Sequence, residues 1–371
     1  MILLSVIMRL LAIVLLWVPQ VRERVVFERK NAGDPYTKKF SDNADLAFEF
    51  SSEGEFQQVL PLITDAVTAG KKLELIYFSP SVEKGVRELC EKHPSQLRSL
   101  RYPLLTGGFL HWITAPKLIL VRYDFFPEFL TFPGELNIVW LTFKKERAMD
   151  KEVSWWKKKF IAKATTVVYA TEEDARTGKS LGKRGPVFDF RIEQIRRRLE
   201  GKSEKFAKIY PEYGELSFRQ YPREKRLIIG NAWPSDLHVM KNIPEDFYVL
   251  VVPHKLEPEI IKAFDGFHVL NKKGVLCELY ADFGFAYVGG GFETSIHSVL
   301  EPFISGADKI SCGPRTFRST EFDIVESAGR MTVVKDSQEF SKWLSLPLES
   351  SHGHVKMAEG YPSFRKAIIS C

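Results

Sequence analysis

Short apolar runs alternate with amphipathic stretches along the chain from Asp45 onward. The run "LAFEF" (46–50) predicts a strand, "FQQVLPLITDAVTAG" (56–70) predicts a helix that ends at Gly70, and "KLELIYFS" (72–79) predicts the next strand. Strands that alternate with helices favour parallel pairing in a doubly wound sheet. The predicted fold class is therefore α/β.

The same alternation occurs in two separate series. The first continues with a helix at 82–93, strands at 117–124 and 136–143, a helix at 154–164 and a strand at 165–170. A polar, charged stretch with proline and glycine follows, and a second alternating series begins at "RLIIGNAW" (226–233). A chain of 371 residues also exceeds the usual size of one domain. We expect two Rossmann-like domains facing a cleft, at 25–205 and 226–371, joined by a linker at 206–225.

The first 24 residues are the most apolar part of the chain. As a helix, the run up to Trp17 would span about 26 Å, slightly less than the roughly 30 Å of a bilayer core. Arg9 interrupts the run, so the segment fits a tilted or in-plane anchor as well as a span. A cleaved signal peptide would need a charged start and a small-residue cleavage site, and both are missing. We expect residues 1–24 to be a retained membrane anchor.

Charge and cysteine content restrict the partners and the compartment. The net charge is +6, and basic residues occur in short runs such as 157–159 and 196–198, which are usually solvated helix faces but also suit an anionic membrane surface. No zinc spacing or RNA-binding signature accompanies the charge, so nucleic acid is not an expected partner.

The four cysteines form no CxxC pair, which argues against a disulfide framework and a zinc site and favours a reducing compartment. The basic flank at 22–24 places the body of the protein in the cytoplasm.

Ligands of doubly wound sheets bind beyond the carboxyl ends of the strands, and two such loops of the N-terminal domain carry carboxylates. In the first, Ser52 and Gly54 precede Glu55 at the start of a helix. Glu55 alone is best explained by its interaction with the helix dipole, worth roughly 0.3 to 1 kcal/mol, while Gly54 permits unusual backbone angles. In the second, Asp124 alone would cap a turn. Two carboxylates at the ends of strands in one sheet can also act as a base and its orienting partner.

The C-terminal domain has two further loops of interest. His254 follows Pro253 at the end of an apolar strand, where a lone histidine is usually structural. Gly289, Gly290 and Gly291 allow a backbone to approach a ligand closely, and a following helix would offer its amides to an anion. This is not the GxGxxG pattern, so dinucleotide binding is not supported. Glu301 would suit hydrogen bonding to ribose hydroxyls, although a helix-start carboxylate is the simpler explanation.

Five motifs together resemble those of the Kdo transferases, the membrane-associated glycosyltransferases that add 3-deoxy-D-manno-octulosonic acid (Kdo) to a lipid A precursor. They are "SSEGEFQQVLPLI", "RYDFFPEFL", "GNAWPSD", "VVPHKLE" and "YVGGGFETSIHSVLEP" followed by "GPRTF". Each motif is weak alone, but five in this order make a strong joint signal. The resemblance spans almost the whole chain, including the N-terminal apolar segment.

The resemblance implies a glycosyltransferase B fold, with the acceptor on the N-terminal domain and CMP-Kdo on the C-terminal domain. It assigns Glu55 as catalytic base and Asp124 as a second essential carboxylate, with Ser52 and Gly54 on the acceptor side. It places His254, the glycine loop 289–291, Ser298 and Glu301 in the CMP-binding region. The implied reaction is an inverting transfer without metal or cofactor, in lipopolysaccharide core biosynthesis at the cytoplasmic side of the bacterial inner membrane.

Several positions depart from the pattern of that family. Glu293 and Ser295 stand where the family commonly has glycines, Ser298 stands in place of an asparagine, and Val187 replaces a basic residue. Glu293 adds negative charge close to a site for an anionic donor. Two alternatives therefore stay open: an enzyme of the same fold that uses another nucleotide sugar, and a membrane-anchored paralogue that binds nucleotide or lipid without catalysis. Retention of both carboxylates favours an enzyme, and the number of Kdo units and the oligomeric state are left open.

Overall fold

The computed structural model describes most of the chain, and its residues form two compact units. The described residues are 10, 14–31, 40, 42–102, 112–122, 125–200, 217–272, 274–317, 319–348 and 360–369. The first unit comprises Met1–Phe143, Glu152–Phe190 and Glu359–Cys371, and the second comprises Lys144–Lys151 and Arg191–Ala358. This division differs from the expected boundaries, because it falls at Phe190 and because the end of the chain returns to the first unit instead of staying in the second.

Six parallel strands form the sheet of the first unit. They are β1 (Leu46–Phe50), β2 (Leu73–Tyr77), β3 (Leu97–Arg101), β4 (Lys117–Val121), β5 (Glu135–Leu141) and β6 (Thr166–Tyr169). Their order is β3-β2-β1-β4-β5-β6, so the direction of strand addition reverses between β1 and β4. Ligands of such sheets bind at this switch point, beyond the carboxyl ends of the strands. The sequence pattern predicts five of these strands and misses β3.

Helices cover both faces of this sheet. They are α1 (Pro19–Asn31), α2 (Glu53–Thr68), α3 (Glu83–Lys92), α5 (Trp155–Lys163), α6 (Glu172–Ser180) and the C-terminal α13 (Gly360–Ile369), while α4 (Lys144–Ala148) belongs to the second unit. Strands β1 and β2 are buried along their whole length and, apart from one glutamate in each, read as continuous apolar runs. Alternate residues of β1 enter different cores: Phe48 packs in the core that includes α2, and Ala47 packs in the core that includes α5.

The second unit repeats this plan with six further parallel strands. They are β7 (Arg226–Ala232), β8 (Tyr248–Pro253), β9 (His268–Val269), β10 (Phe285–Val288), β11 (Lys309–Cys312) and β12 (Met331–Val333). The order is β12-β11-β10-β7-β8-β9, which places the switch point between β7 and β10. The helices are α7 (Phe190–Glu200), α8 (Pro258–Lys262), α9 (Leu276–Leu279), α10 (Leu300–Ser305), α11 (Thr320–Ser327) and α12 (Ser337–Leu344). The α/β class and the parallel pairing are confirmed in both units.

The N-terminal helix α1 is tied to the first unit through Arg24. Its guanidinium donates to the carbonyl oxygen of Phe78 over 2.9 Å and to that of Tyr102, the residues that follow β2 and β3, and it pairs with Glu28 over 2.7 Å. The helix therefore lies at the carboxyl edge of the sheet. It continues across the expected boundary between an anchor at 1–24 and the domain that follows.

Half of the expected anchor lies outside the described residues, which include only residue 10 and residues from 14 onward in this segment. Among the helices of the described part of the chain, none combines the length and the apolar character that crossing a bilayer requires. The anchor at 1–24 therefore stays a prediction. Within the described part, Val14 and Trp17 are exposed apolar side chains.

Two of the basic runs are less solvated than the sequence suggests. Lys157 is buried and donates to the carbonyl oxygen of Thr142 over 2.9 Å. Arg198 pairs with the buried Glu278 over 3.0 Å. The described cysteines, Cys90, Cys277 and Cys312, are buried.

Candidate functional site

The carboxyl ends of β7 and β10 lie side by side at the switch point of the second sheet. Trp233 follows β7, the glycine loop Gly289–Gly291 follows β10, and His254 follows β8, the other neighbour of β7. The sequence-predicted residues His254 and the glycine loop thus end neighbouring strands at one edge. This is the position at which doubly wound sheets bind their ligands.

The three glycines are required by the packing of the loop itself. A Cβ at Gly289 would lie 2.2 Å from the carbonyl oxygen of Asn231, and one at Gly290 would lie 2.7 Å from that of Ser295. Gly290 and Gly291 also have φ angles of 86° and 88°, in the left-handed region that disfavours side chains. The backbone of these glycines therefore closely approaches other parts of the protein itself. A close approach of a ligand to the same backbone stays a prediction.

Asp236 holds the glycine loop against the residue that follows β7. Its carboxylate accepts hydrogen bonds from the backbone amide of Trp233 over 2.8 Å, from that of Gly290 over 3.2 Å and from the hydroxyl of Tyr287 over 3.1 Å. The side chain is fully buried, and burial raises the pKa of Asp236 to about 6 although these hydrogen bonds oppose the shift. The only sequence signal of Asp236 is its place in "WPSD" after a strand.

Three aromatic rings stack beside this loop. The rings of His254 and His297 are 4.2 Å apart, and that of Trp233 lies 4.8 Å from His254. The ammonium group of Lys255 is 5.9 Å from the centre of the Trp233 ring. Together these four side chains form an aromatic and basic surface, here called the histidine stack, at the switch point.

The hydrogen bonds of His297 fix its tautomer. Trp233 Nε1 lies 3.0 Å from His297 Nε2, and an indole nitrogen can only donate, so Nε2 accepts and a neutral ring carries its proton on Nδ1. Burial, reinforced by the nearby His254, lowers the pKa of His297 to about 4, so the ring is neutral at physiological pH. The sequence around His297, "ETSIHSVLEP", does not indicate this role, because only the fold brings His297 to Trp233.

Ser298 and Glu301 occupy a different setting from the one expected. The next helix, α10, begins only at Leu300, and its first amide donates to the Glu321 carboxylate over 3.3 Å, so no helix start follows the glycines directly. Glu301 lies in the first turn of α10 and accepts from Arg198 over 3.4 Å. A ribose contact by Glu301 stays a prediction and would share this carboxylate with Arg198. Ser298 is half-buried in the intervening loop.

The acceptor-side loop of the first unit joins β1 to α2. Ser52 is the N-cap of α2, and it forms a capping box with Glu55: the Ser52 hydroxyl accepts from the Glu55 amide over 3.4 Å. The Glu55 carboxylate accepts in return from the amides of Ser51 and Ser52, over 2.8 Å and 3.1 Å. The carboxylate is buried and held by the backbone, as a structural cap requires. A role as base therefore stays a prediction that has to be separated from this capping role.

Gly54 does not need the backbone freedom that the sequence suggests. Its φ is not in the left-handed region, and an added Cβ would meet only the Ser52 hydroxyl oxygen, at 4.0 Å. The expectation of unusual backbone angles is therefore wrong, whereas space for a ligand stays a prediction. Asp124 lies outside the described residues.

The sequence pattern also does not indicate Arg122, the residue after β4. Arg122 has a φ of 71°, and its guanidinium lies 4.4 Å from the centre of the Trp140 ring. A non-glycine residue at positive φ is uncommon and carries strain. The fold thus places Arg122 at the switch point between β1 and β4.

A metal centre is not apparent in the described residues, where His, Cys, Asp and Glu side chains do not gather in groups of three or more. Transfer without metal stays a prediction, because the segment around Asp124 is not included in this observation.

Comparison with known proteins shows the fold. Neither a protein-family model nor a curated protein sequence matches the chain. UDP-GlcNAc 2-epimerase from Neisseria meningitidis, solved with UDP-GlcNAc, superposes with a TM-score of 0.58 at 11% identity over 88% of this chain and 94% of that one. UDP-glucose:anthocyanidin 3-O-glucosyltransferase, solved with UDP, superposes with a TM-score of 0.57 at 10% identity, over 89% of this chain and 100% of that one.

A third match is to the C-terminal CMP-Kdo binding domain of WaaA from Acinetobacter baumannii, at 16% identity over 45% of this chain and 93% of that domain. Its TM-score of 0.30 is too low to bear on the donor. The chain is thus similar in fold to enzymes of the glycosyltransferase B type. Identities this low show the fold alone, because one fold supports many functions.

Proposed function

We propose that the protein is an inverting glycosyltransferase that transfers Kdo from CMP-Kdo to a lipid A precursor at the cytoplasmic face of the bacterial inner membrane. The observation that carries this proposal is the histidine stack beside the glycine loop at the switch point of the second sheet. Five ordered motifs that resemble Kdo transferases support the choice of donor and acceptor. The similarity in fold to enzymes that bind nucleotide sugars supports the broader class.

On the donor side, the second unit would bind the nucleotide. His254 and Lys255 offer polar groups near the glycine loop, and the neutral His297 offers an Nδ1 proton as a hydrogen-bond donor. Donors placed where charge develops on a leaving phosphate are the usual source of electrostatic catalysis. As the bond between the anomeric carbon of Kdo and the phosphate oxygen breaks, these groups would stabilise the departing CMP.

On the acceptor side, the first unit would supply the base. The hydroxyl of the acceptor is a poor nucleophile, and Glu55 would take its proton while the oxygen forms a bond to the anomeric carbon. Attack opposite the leaving CMP gives inversion. The Ser51 and Ser52 amides hold the Glu55 carboxylate in a fixed orientation, which supports a positioned base. Arg122 and Asp124 would complete the acceptor side.

Nucleotide binding by calorimetry tests the donor half of the proposal. The protein should bind CMP and CMP-Kdo more tightly than UDP and UDP-GlcNAc, and Gly290→Ala should weaken the binding of CMP because it displaces the glycine loop. Preference for UDP in the wild-type chain would contradict the assignment of CMP-Kdo.

A second candidate is an enzyme of the same fold that uses a UDP-sugar. It is supported by the two structural neighbours solved with UDP-GlcNAc and UDP, and by Glu293 beside the donor site. Turnover of UDP-GlcNAc or UDP-glucose together with no turnover of CMP-Kdo would favour it. Binding of nucleotides with no turnover of any donor would favour the non-catalytic paralogue.

A further inference from the structure

Helix α5 of the first unit carries an aromatic and basic face that its own fold leaves exposed. Trp155 is 64% exposed, an unusual state for the largest apolar side chain. Lys158, Lys159 and Ala162 are also exposed and follow Trp155 at helical spacings of three, four and seven residues, so the four share one face. The Lys159 ammonium lies 4.8 Å from the centre of the Trp155 ring.

The opposite face of α5 holds the loop that leads on from β4. Trp156 donates from Nε1 to the carbonyl oxygen of Phe125 over 2.9 Å. The rings of Phe125 and Phe160 stack at 4.8 Å. Phe125 directly follows Asp124, the second carboxylate of the proposed acceptor side. One short helix thus contacts the acceptor-side segment on its inner face and presents tryptophan and lysine on its outer face.

We propose that the face formed by Trp155, Lys158, Lys159 and Ala162 is a docking surface for an anionic lipid bilayer. The helix contains no acidic residue, so this face is complementary in charge to anionic headgroups. Tryptophan with lysine is the side-chain combination that lies at the boundary between headgroups and acyl chains. The proposal deepens the proposed function, and it rests on that function in taking the acceptor to be a lipid.

A second observation places this surface at the membrane side of the first unit. Arg24 fixes α1 at the carboxyl edge of the sheet, through the residues that follow β2 and β3. Helix α5 begins at the same edge, because it follows β5 and contacts the residue after β4. Helix α1, which contains the last residues of the predicted anchor, and the α5 face thus lie at one edge of the sheet. Two weak membrane signals together give stable attachment.

A local probe separates this surface from the anchor. The full-length Ala162→Cys variant is labelled with an environment-sensitive dye and mixed with phosphatidylcholine vesicles, with or without phosphatidylglycerol. The control carries the dye at Glu91→Cys, on the exposed side of α3. We expect a blue shift at position 162, larger with phosphatidylglycerol, and none at position 91. An unshifted probe at position 162 on protein that sediments with the vesicles overturns the proposal, because the anchor alone would then bind.

Charge removal gives the second readout. The double variant Lys158→Gln and Lys159→Gln should weaken partitioning into the anionic vesicles about fivefold for each lysine removed. Its matched control replaces two exposed lysines of α3 and α6, Lys92→Gln and Lys179→Gln, and should partition like the wild type. An equal loss of partitioning in both double variants would show a general effect of net charge and would overturn the proposal.

Nucleic acid is the competing occupant, because exposed aromatic and basic side chains also stack and bind single strands. If Trp155→Ala lowers the affinity for a single-stranded oligonucleotide and leaves vesicle binding unchanged, the surface is a nucleic-acid site and the proposal fails. These readouts contain no sugar donor. Failure of vesicle docking is therefore distinguishable from failure of transfer, which is measured with acceptor and donor.

Discussion

Trp233 donates a hydrogen bond from its indole Nε1 to Nε2 of His297 over 3.0 Å, which joins the loop after β7 to the loop after β10. The Trp233 amide also donates to Asp236, whose carboxylate accepts from the Gly290 amide as well. One residue thus connects a neutral histidine and a buried carboxylate at the switch point. Burial is the main cause both of the lowered pKa of His297 and of the raised pKa of Asp236.

The first prediction concerns acid stability. His297 has a pKa of about 4 when folded and about 6.5 when unfolded, so between these values the unfolded chain binds more protons. The stabilisation is present above pH 6.5 and is lost as the pH falls to 4. Between pH 6.5 and pH 4, the free energy of unfolding of the wild type should fall by about 2 kcal/mol more than that of the His297→Gln variant. Denaturant titration at several pH values measures both.

Asp236 provides the control of opposite sign. Its folded pKa of about 6 exceeds the ordinary value of 3.8, so its contribution is present below pH 3.8 and is lost as the pH rises through 6. The Asp236→Asn variant should therefore lose stability on acidification more steeply than the wild type. Identical pH profiles for wild type and His297→Gln would contradict the neutral assignment of His297.

The second prediction concerns the glycine loop. Gly290→Ala should cost about 2 to 4 kcal/mol of unfolding free energy, because the methyl group meets the Ser295 carbonyl oxygen at 2.7 Å and the backbone has a φ of 86°. Gly266→Ala is the matched control: its φ is 99°, but nothing lies within 4 Å, so about 1 kcal/mol is expected. Equal costs would show that close packing does not constrain Gly290.

The third prediction concerns Gly54. Gly54→Ala should leave the protein as stable as the wild type or about 0.5 kcal/mol more stable, because an alanine fits this helical position. If the empty space beside Glu55 admits the acceptor hydroxyl, steady-state transfer should fall at least about tenfold, a barrier increase of about 1.4 kcal/mol. Full activity in this variant would remove Gly54 from the acceptor side.

The fourth prediction separates the two roles of Glu55. Glutamine can replace glutamate in a capping box, so Glu55→Gln should change the free energy of unfolding by less than about 1 kcal/mol. Transfer should fall roughly 100- to 10,000-fold if Glu55 is the base. Ser319→Ala removes the N-cap of α11 in the second unit and is the control, with a cost of about 1 kcal/mol and no loss of transfer. Wild-type turnover by Glu55→Gln would leave Glu55 with the capping role alone.

The sequence predicts those parts of the fold that a local pattern encodes. The strands β1, β4 and β10 are apolar runs bounded by turn residues, and their parallel pairing follows from alternation with helices. Strand β3 has the sequence "LRSLR" and lies at the sheet edge, and its buried Arg98 pairs with Glu74 on β2 and lies over the ring of Trp112. A local pattern contains no information about such a partner.

The candidate site shows the same limit. His254 and the glycine loop could be found from their positions after apolar strands. The roles of His297 and Asp236 depend on Trp233 and Gly290, which are distant in sequence and meet only through the order of β7 and β10. Glu301 could be placed in a first helical turn, but its contact with Arg198 could not, because that arginine comes from α7.

The most direct test of the account is a product assay by mass spectrometry. Purified wild-type protein is incubated with CMP-Kdo and a lipid A precursor, with UDP-GlcNAc and UDP-glucose as parallel donors. The account predicts acceptor mass increased by one or more Kdo units, with release of CMP, and no product from the UDP-sugars. An unchanged acceptor with intact CMP-Kdo, alongside turnover of a UDP-sugar, would contradict it.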